Sequence, residues 1–336
     1  MVKVRRFRPI VALFSIVGTA LALAIAAAFI PDSAYLRFQL VKDTQYAQAQ
    51  WIYERIHFDD RPIDVVVVGP SRTWFGVNPV RMEEDLGGRG LSAGVVNFSL
   101  LGPGRNMNYV ILKELLEAKR TPRLVVIGVS DQPARLFGHP AFKFVANAGD
   151  VARATFVSNV GYLRNLGYLP FRQMKLAAMR VFPDAFGVRP SFDPASYEGS
   201  SYDSVQSFRF ADGRLFDRER VMSHAELLAD AAAIRRSRPR MLPADWADIE
   251  FGDENFYIRK IVAMARATGV KVVFLSIPYF TGPVETPEDA FYAQYGPIFK
   301  ADLVTENDQL FWDGEHLNVA GATVVTDWLA DQLLKD

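Results

Sequence analysis

Four consecutive valines, Val65–Val68, constrain the fold of this chain more than any other feature. They lie between Pro62 and Gly69 without a polar residue among them, which is typical of a strand buried on both faces of a parallel sheet. Apolar runs of the same kind recur at 94–98, 124–129 and 270–277. The sequence therefore predicts four core strands.

Helical patterns stand between these apolar runs. Apolar side chains recur at helical spacing over 105–119 and 253–268, and Gly269 ends the second of these patterns. A final amphipathic pattern covers 319–335. Strands that alternate with helices predict a parallel sheet covered on both faces. We therefore expect a three-layer α/β/α, flavodoxin-like domain over 63–336.

The alternation of strands and helices breaks over about 138–250. Helical stretches occupy roughly 150–182, and apolar residues alternate on both sides of Asp212-Gly213, a turn signal that predicts a hairpin. We expect this segment to be an insertion between the third and fourth core strands that forms a lid or a wall beside the substrate.

The first 31 residues predict a membrane anchor. Ile10 to Ile30 form a run without charge, about 31 Å long as a helix, which is enough to cross the hydrocarbon core of a bilayer. Basic residues precede the run and no acidic residue occurs before Asp32, so the N-terminus is expected in the cytoplasm and the body in the periplasm, held by one span of the inner membrane. The alternative is a signal peptide cleaved near Ala26–Ala28, which also exports the body.

Residues 32–62 predict a juxtamembrane helix. Tyr35, Phe38, Ile52 and Ile56 belong to a set of apolar side chains that recur at roughly helical spacing among polar ones. The helix is expected to lift the body off the bilayer, and its aromatic residues to pack on the body or touch the membrane interface.

Charge and cysteine content exclude several classes of function. Lys plus Arg and Asp plus Glu both number 38, and this balance argues against a general nucleic-acid binder. The chain has no cysteine, which excludes disulfides, a cysteine nucleophile and thiolate metal sites. No phosphate-binding loop, dinucleotide fingerprint or zinc motif occurs, and His57, His139 and His224 lack metal-like spacing. We expect neither a cofactor nor a metal.

Residues with reactive side chains follow the predicted strands, where open parallel sheets bind their ligands. Ser71 follows the first strand, while Asp313 and His316 stand just before the last helix. A serine hydroxyl becomes a nucleophile when a base takes its proton. Histidine suits that task, and a carboxylate fixes its tautomer. Of the four histidines, His316 is the one with an aspartate three residues earlier in a short loop before a helix.

The blocks at the strand ends resemble those of the SGNH (GDSL-type) hydrolase superfamily over about 64–135 and 253–335. Ser71 matches the nucleophile of a Gly-Asp-Ser-like turn, and Asp313 with His316 matches Asp-x-x-His. The two middle blocks, Asn-x-Gly-x-x-Gly and Gly-x-Asn-Asp, are matched by Asn97, Ser99 and Gly102 and by Gly128-Val129-Ser130-Asp131.

The resemblance implies a role for each matched residue. Ser71 is the nucleophile, His316 its base and Asp313 the orienting carboxylate. The oxyanion hole is formed by the backbone N–H groups of Ser71 and Gly102 and by the side chain of Ser130. Substrate binding falls to two residues that have equally plausible structural roles, loop bracing for Asn97 and a salt bridge for Arg72.

Two departures from the family pattern affect the expected activity. Pro70 precedes the nucleophile in place of an acidic or small residue, and Ser130 stands where the family has asparagine. The serine hydroxyl is shorter, and one missing oxyanion donor typically costs about 100–1000-fold in turnover. Activity on simple esters is therefore expected to be weak.

The N-terminal anchor, the Gly-x-Ser-Arg turn and the insertion are similar to the extracytoplasmic proteins that assist alginate acetylation or teichoic-acid D-alanylation. Those proteins work beside a multispanning membrane-bound O-acyltransferase. The resemblance implies such a partner and an acylated cell-envelope polysaccharide as substrate, with transfer to a sugar hydroxyl or hydrolysis by water. The alternative is a non-catalytic scaffold that binds a glycan or a membrane partner, which Pro70 and Ser130 keep open.

Overall fold

The structure, a computed structural model, describes residues 8–131, 135–209, 213, 215–237 and 241–335. Within these residues the chain forms the strands β1 (Val65–Val68), β2 (Val95–Asn97), β3 (Leu124–Val129), β4 (Phe208–Arg209), β5 (Leu215–Phe216), β6 (Lys271–Ser276) and β7 (Ile298–Lys300).

Five of the described strands form one sheet in the order β2-β1-β3-β6-β7. Every neighbouring pair is parallel, and Val66 of the interior strand β1 aligns with Val96 of β2 and Val125 of β3. Counted along the core strands alone, the order is the 2-1-3-4-5 of the flavodoxin-like folds. The four predicted strands are confirmed, and the edge strand β7 is an addition that the sequence did not predict.

Helices surround this sheet. In the described part of the chain they are α1 (Arg8–Ala28), α2 (Ala34–Gln39), α3 (Gln48–His57), α4 (Ser71–Gly76), α5 (Pro79–Gly88), α6 (Arg105–Glu117), α7 (Phe142–Val145), α8 (Ala148–Ala152), α9 (Tyr162–Val181), α10 (Pro183–Phe186), α11 (His224–Ser237), α12 (Ala247–Glu250), α13 (Gly252–Ala267), α14 (Asp289–Tyr292) and α15 (Val319–Leu333). Short 3-10 turns cover Pro194–Ser196, Ala244–Trp246, Asp302–Val304 and Asp308–Leu310.

The alternation of side chains along β1 divides the core into two layers. Val66 and Val68 pack with residues of α3, α6 and α13 on one face. Val65 and Val67 pack with residues of α5 and α15 on the other. Each fully buried valine contributes about 1.5–3 kcal/mol, so both faces favour the same strand. The predicted three-layer α/β/α architecture is confirmed.

The chain between β3 and β6 contains α7 to α13 and a hairpin. Strands β4 and β5 pair antiparallel, with Phe208 opposite Phe216. The predicted hairpin is thus present, although Asp212 of its turn lies outside the described residues. Gly213 has a positive φ of 85°, a conformation that glycine adopts without a steric penalty.

The prediction of a single juxtamembrane helix over 32–62 is wrong. The segment forms two helices, α2 and α3, joined by turns over 40–47. Phe38, Trp51 and Ile52 are buried in the same core layer as Val66. The apolar side chains pack against the sheet instead of continuing one helix, so the segment is part of the folded body.

Helix α1 is the one described helix that is long and apolar enough to cross a membrane. Its span Pro9–Ala28 has a mean hydropathy of 2.5, and none of its most apolar stretch is buried in the body. Length and composition are the grounds for this statement, and a signal sequence has the same properties. The side chains of α1 are exposed along most of its length and are partly covered near its end, at Ala24, Ala27 and Ala28.

Candidate active site

The nucleophile candidate Ser71 is the first residue of α4, directly after β1. The turn is tight because the side chain of Thr73 fills the space between the ends of β1 and β3. A Cβ at Gly69 would lie 2.5 Å from Oγ1 of Thr73, and one at Gly128 would lie 1.8 Å from the same atom. The two glycines therefore permit the close approach that sets the position of Ser71.

The structure brings the three predicted catalytic side chains together. Nε2 of His316 lies 2.8 Å from Oγ of Ser71, across a separation of 245 residues. Nδ1 of His316 lies 3.0 Å from Oδ2 and 3.1 Å from Oδ1 of Asp313. The order hydroxyl, imidazole and carboxylate is the one that removes a proton from a serine.

Asp313 is held by its own loop. The backbone N–H groups of Glu315 and His316 each donate to Oδ1 of Asp313 at 2.7 Å. Burial acts to raise the pKa of the Asp313 carboxyl, but the His316 imidazole and these N–H donors hold the pKa below its ordinary value. Asp313 is therefore a carboxylate at neutral pH, as an orienting group must be.

A cavity of about 40 Å³ lies beside Ser71, and Gly102 and Ser130 line it. Gly102 has φ +88°, a backbone conformation that favours glycine. Among the described residues, no oxygen accepts a hydrogen bond from the backbone N–H of Ser71 or Gly102. The three residues predicted for an oxyanion hole thus line one cavity.

The buried imidazole of His139 supports the loop that carries Gly102. Its Nε2 lies 2.8 Å from the carbonyl oxygen of Leu101, and the N–H of Ala141 donates to its Nδ1 at 3.1 Å. Burial lowers the pKa of His139 to about 4, so the ring is neutral and Nε2–H donates to Leu101. The sequence shows only that His139 lacks metal-like spacing, and it offers no signal for this contact.

Arg72 also lines the cavity. Its guanidinium is buried, donates to Asp131 at 2.6 Å and to Glu315 at 3.4 Å, and lies 5.1 Å from the ring centre of Tyr279. Arg72 therefore combines the salt bridge and the site position that the sequence left as alternatives. In the part of the chain that the structure describes, no group of three or more His, Asp or Glu residues could hold a metal ion.

Asn97 lies away from the cavity, which differs from the substrate-binding role expected for it. Its buried Nδ2 donates to the carbonyl oxygens of Thr73 and Val77 at 3.2 and 2.8 Å. Its Oδ1 accepts from the N–H of Ser99 at 3.1 Å. Asn97 thus braces the backbone after Ser71, which was the alternative reading of this residue.

Two residues of the insertion, Phe216 and Arg218, pack around the loop that carries Asp313 and His316. Phe75 contacts the His316 ring edge-on at 5.0 Å, and Phe216 stacks on Phe75 at 5.0 Å and on Trp312 at 4.1 Å between ring centres. The buried Arg218 lies 4.3 Å from the centre of the Phe75 ring and donates to the carbonyl oxygens of Phe75 and Leu317, both at 2.9 Å. Sequence reasoning missed Phe216 and Arg218.

A polar cleft of about 270 Å³, larger than the cavity beside Ser71, has Trp74 of α4 in its wall together with other aromatic and polar side chains. Trp74, Tyr202 and Phe208 provide the rings, while Asp203 and Gln206 provide polar groups. Nε1 of Trp74 has no hydrogen-bond partner among the described residues. Trp74 stands three residues after Ser71 in the same short helix.

Comparison with known proteins adds little to this geometry. No protein-family model matches the sequence, and no curated protein matches it. A solved protein of Bacteroides fragilis named as an acylhydrolase has 13% identity, with 86% of this chain and 94% of that chain covered and a TM-score of 0.33. A GDSL-like lipase of Bacteroides thetaiotaomicron has 12% identity, 90% and 98% coverage and a TM-score of 0.32. TM-scores this low do not assign a function to the chain.

Proposed function

We propose that the chain is a serine acyltransferase or esterase that acts on O-acyl groups of a cell-envelope polysaccharide. The observation that carries the proposal is the pair of contacts from His316, 2.8 Å to Ser71 and 3.0 Å to Asp313. A hydroxyl, a base and an orienting carboxylate in this order are the parts of a serine hydrolase site.

In the first half of the proposed reaction, Oγ of Ser71 attacks the carbonyl carbon of an acyl ester while Nε2 of His316 takes the hydroxyl proton. The N–H groups of Ser71 and Gly102, with the hydroxyl of Ser130, stabilise the oxyanion that forms. Collapse of the intermediate breaks the ester C–O bond. The imidazolium returns its proton to the leaving oxygen, and the acyl group stays on Ser71.

In the second half, a sugar hydroxyl or a water molecule enters the place of the leaving group. Nε2 of His316 takes its proton as it attacks the acyl-serine, and a second oxyanion forms in the same cavity. Collapse of this intermediate breaks the bond between the acyl carbon and Oγ of Ser71, and the imidazolium returns its proton to Oγ, which restores the free enzyme. Transfer and hydrolysis differ in the nucleophile alone, so the fit of the acceptor decides between them.

The polar cleft beside α4 supports a glycan as the acceptor. Aromatic rings stack on the apolar faces of sugars, and Asp203 and Gln206 offer hydrogen bonds to their hydroxyl groups. The basic flank and apolar run of the N-terminus support a body held outside the cytoplasm by α1. A membrane-bound O-acyltransferase that supplies the acyl group is the partner we propose, on the basis of the motif resemblance.

Covalent labelling tests the proposed nucleophile. The full chain in detergent is treated with a fluorophosphonate, beside Ser71→Ala and a control variant, Ser237→Ala, at the exposed end of α11. We expect the wild type and Ser237→Ala to be labelled and Ser71→Ala not to be. A wild type that takes no label, although folded, contradicts the proposal and favours the scaffold.

Acyl donors then separate the two reactions. Wild-type protein from a preparation that reacts with the fluorophosphonate is supplied, unlabelled, with a chromogenic acetyl ester. The reaction is run with and without an oligosaccharide acceptor, and free acetate and acetylated sugar are measured. Acetylated sugar that depends on Ser71 supports transfer, while acetate that forms equally in both samples supports hydrolysis.

A further inference from the structure

Helix α9 carries apolar side chains on the face turned away from the body. We call this set the apolar stripe: Leu163, Phe171, Met174, Val181 and Phe182, which are 46–65% exposed. The opposite face of α9, with Leu169, Leu176 and Met179, is buried. A surface helix normally presents polar residues to water, and a contiguous apolar patch marks an interaction surface.

The apolar stripe follows one face of the helix and continues beyond it. Its members are spaced by 8, 3 and 7 residues from Leu163 to Val181, and these steps return to one face at 3.6 residues per turn. The loop before α9 adds Phe156, Val157 and Val160, all more than half exposed. The apolar surface thus extends along the whole helix and into the segment that enters it.

Basic residues accompany the apolar stripe. Arg164, Lys175 and Arg180 are exposed on α9, and Tyr162–Val181 contains no Asp or Glu. The chain as a whole has zero net charge, so this helix concentrates positive charge locally. An apolar face bordered by Lys and Arg is typical of helices that lie in a membrane surface, where anionic headgroups attract the cations.

The position of α9 next to α1 puts the apolar stripe at a defined depth. The two helices are in contact, and the exposure of α1 is reduced only at residues near its end, Ala24, Ala27 and Ala28. Nε2 of Gln173 donates to the carbonyl oxygen of Ile30 at 2.8 Å and to Oδ2 of Asp32 at 2.9 Å. The middle of α9 is therefore tied to the residues at which the chain leaves its apolar run.

We propose that α9 lies in the surface of an anionic lipid bilayer, with the apolar stripe among the acyl chains and Arg164, Lys175 and Arg180 at the headgroups. The contact of α9 with the end of α1 favours lipid as the partner of the apolar stripe, because the end of a spanning helix lies at the boundary of the hydrocarbon layer. Two contacts with the bilayer, α1 and α9, then fix the orientation of the body, which a single span leaves free to rotate.

Site-specific fluorescence tests this contact in the full chain. The absence of native cysteine allows single labels at Phe171→Cys and Val181→Cys, with Leu303→Cys as an exposed control on another part of the body. The environment-sensitive dye NBD is attached, and the protein is reconstituted in vesicles of phosphatidylethanolamine and phosphatidylglycerol. Thermal unfolding of each variant confirms that the exposed substitutions leave the fold intact.

We expect the labels at residues 171 and 181 to emit at shorter wavelength than the control, to be quenched by spin-labelled lipid and to be protected from iodide in the water. The control label should show the reverse pattern. Iodide quenching of the stripe labels as strong as that of the control overturns the proposal. Protection that occurs in native membranes and not in the vesicles also overturns it, because a protein partner then covers the stripe.

Discussion

The contact between the end of β3 and helix α4 has no room for another carbon atom, and Gly128→Ala tests its importance. The new Cβ would lie 1.8 Å from Oγ1 and 2.8 Å from Cβ of Thr73, far inside van der Waals contact. Thr73 is buried and stands two residues after Ser71. It cannot withdraw without moving the turn that carries Ser71.

The size of the effect follows from this overlap. Overpacking of this kind costs about 1–3 kcal/mol, and in a domain of this size each kcal/mol lowers the melting temperature by about 2–4 °C. The contact from Ser71 to His316 is 2.8 Å, so a shift of about 1 Å breaks it, and such a misplacement costs about 100-fold in rate. We expect a modest loss of stability and a large loss of reactivity.

Labelling rate and thermal unfolding measure the two effects separately. Gly87→Ala is the matched control, because no atom lies within 4 Å of the Cβ it would add in α5. The second variant Gly128→Ala/Thr73→Ala removes Oγ1 of Thr73 and should recover part of the lost rate. If Gly128→Ala reacts with a fluorophosphonate as fast as the wild type and melts at the same temperature, the close approach does not position Ser71.

Three further substitutions have defined outcomes. Asp313→Asn keeps an oxygen that accepts from the loop N–H groups, but it presents an NH₂ group to His316. Turnover should fall by about 10⁴, as for the same change in a serine protease, while the melting temperature stays unchanged. A loss in turnover below tenfold would contradict an orienting role. His139→Leu removes the donor to Leu101 and should lower kcat by roughly 10–100-fold with little change in KM, less than the loss of a whole oxyanion donor; equal effects on both would point to a general defect. Burial raises the pKa of Glu288 from 4.5 to about 7, so the native state binds its proton more tightly than the unfolded chain. Stability should therefore fall by up to about 1.4 kcal/mol per pH unit between these values. Glu288→Gln should flatten that fall in urea titrations at successive pH values, and parallel curves for both proteins would refute this cause.

The strands differ in how well the sequence predicts them. Val65–Val68 is readable because a strand covered on both faces needs apolar residues throughout. Ile298–Lys300 has no such pattern, since its three residues are half-buried at the sheet edge, and pairing with β6 imposes the strand. The prediction of one juxtamembrane helix over 32–62 failed for a related reason. Helical spacing of apolar residues indicates that one face is buried, but it does not show which part of the protein covers that face.

The candidate site shows the same division. The meeting of Ser71, Asp313 and His316 was predictable because the proposed nucleophile, base and orienting acid each require a particular side chain at a strand end or loop. The supports of the site were not, because His139 and Arg218 act through backbone carbonyl oxygens that tertiary folding brings to them. Any side-chain donor of suitable length could bind these carbonyl oxygens, so the residue type alone does not identify a supporting residue.

The separation of 245 residues between Ser71 and His316 bears on when the site comes into existence. A chain made from its N-terminus presents β1 and Ser71 long before the loop of Asp313 and His316 has been synthesised. Closing so long a loop is slow compared with local folding, because the entropy of closure must be met before the contact forms. Ser71 therefore has no histidine beside it until the C-terminal loop has been made, and we expect this long-range contact to form after the local contacts of β1 and α4.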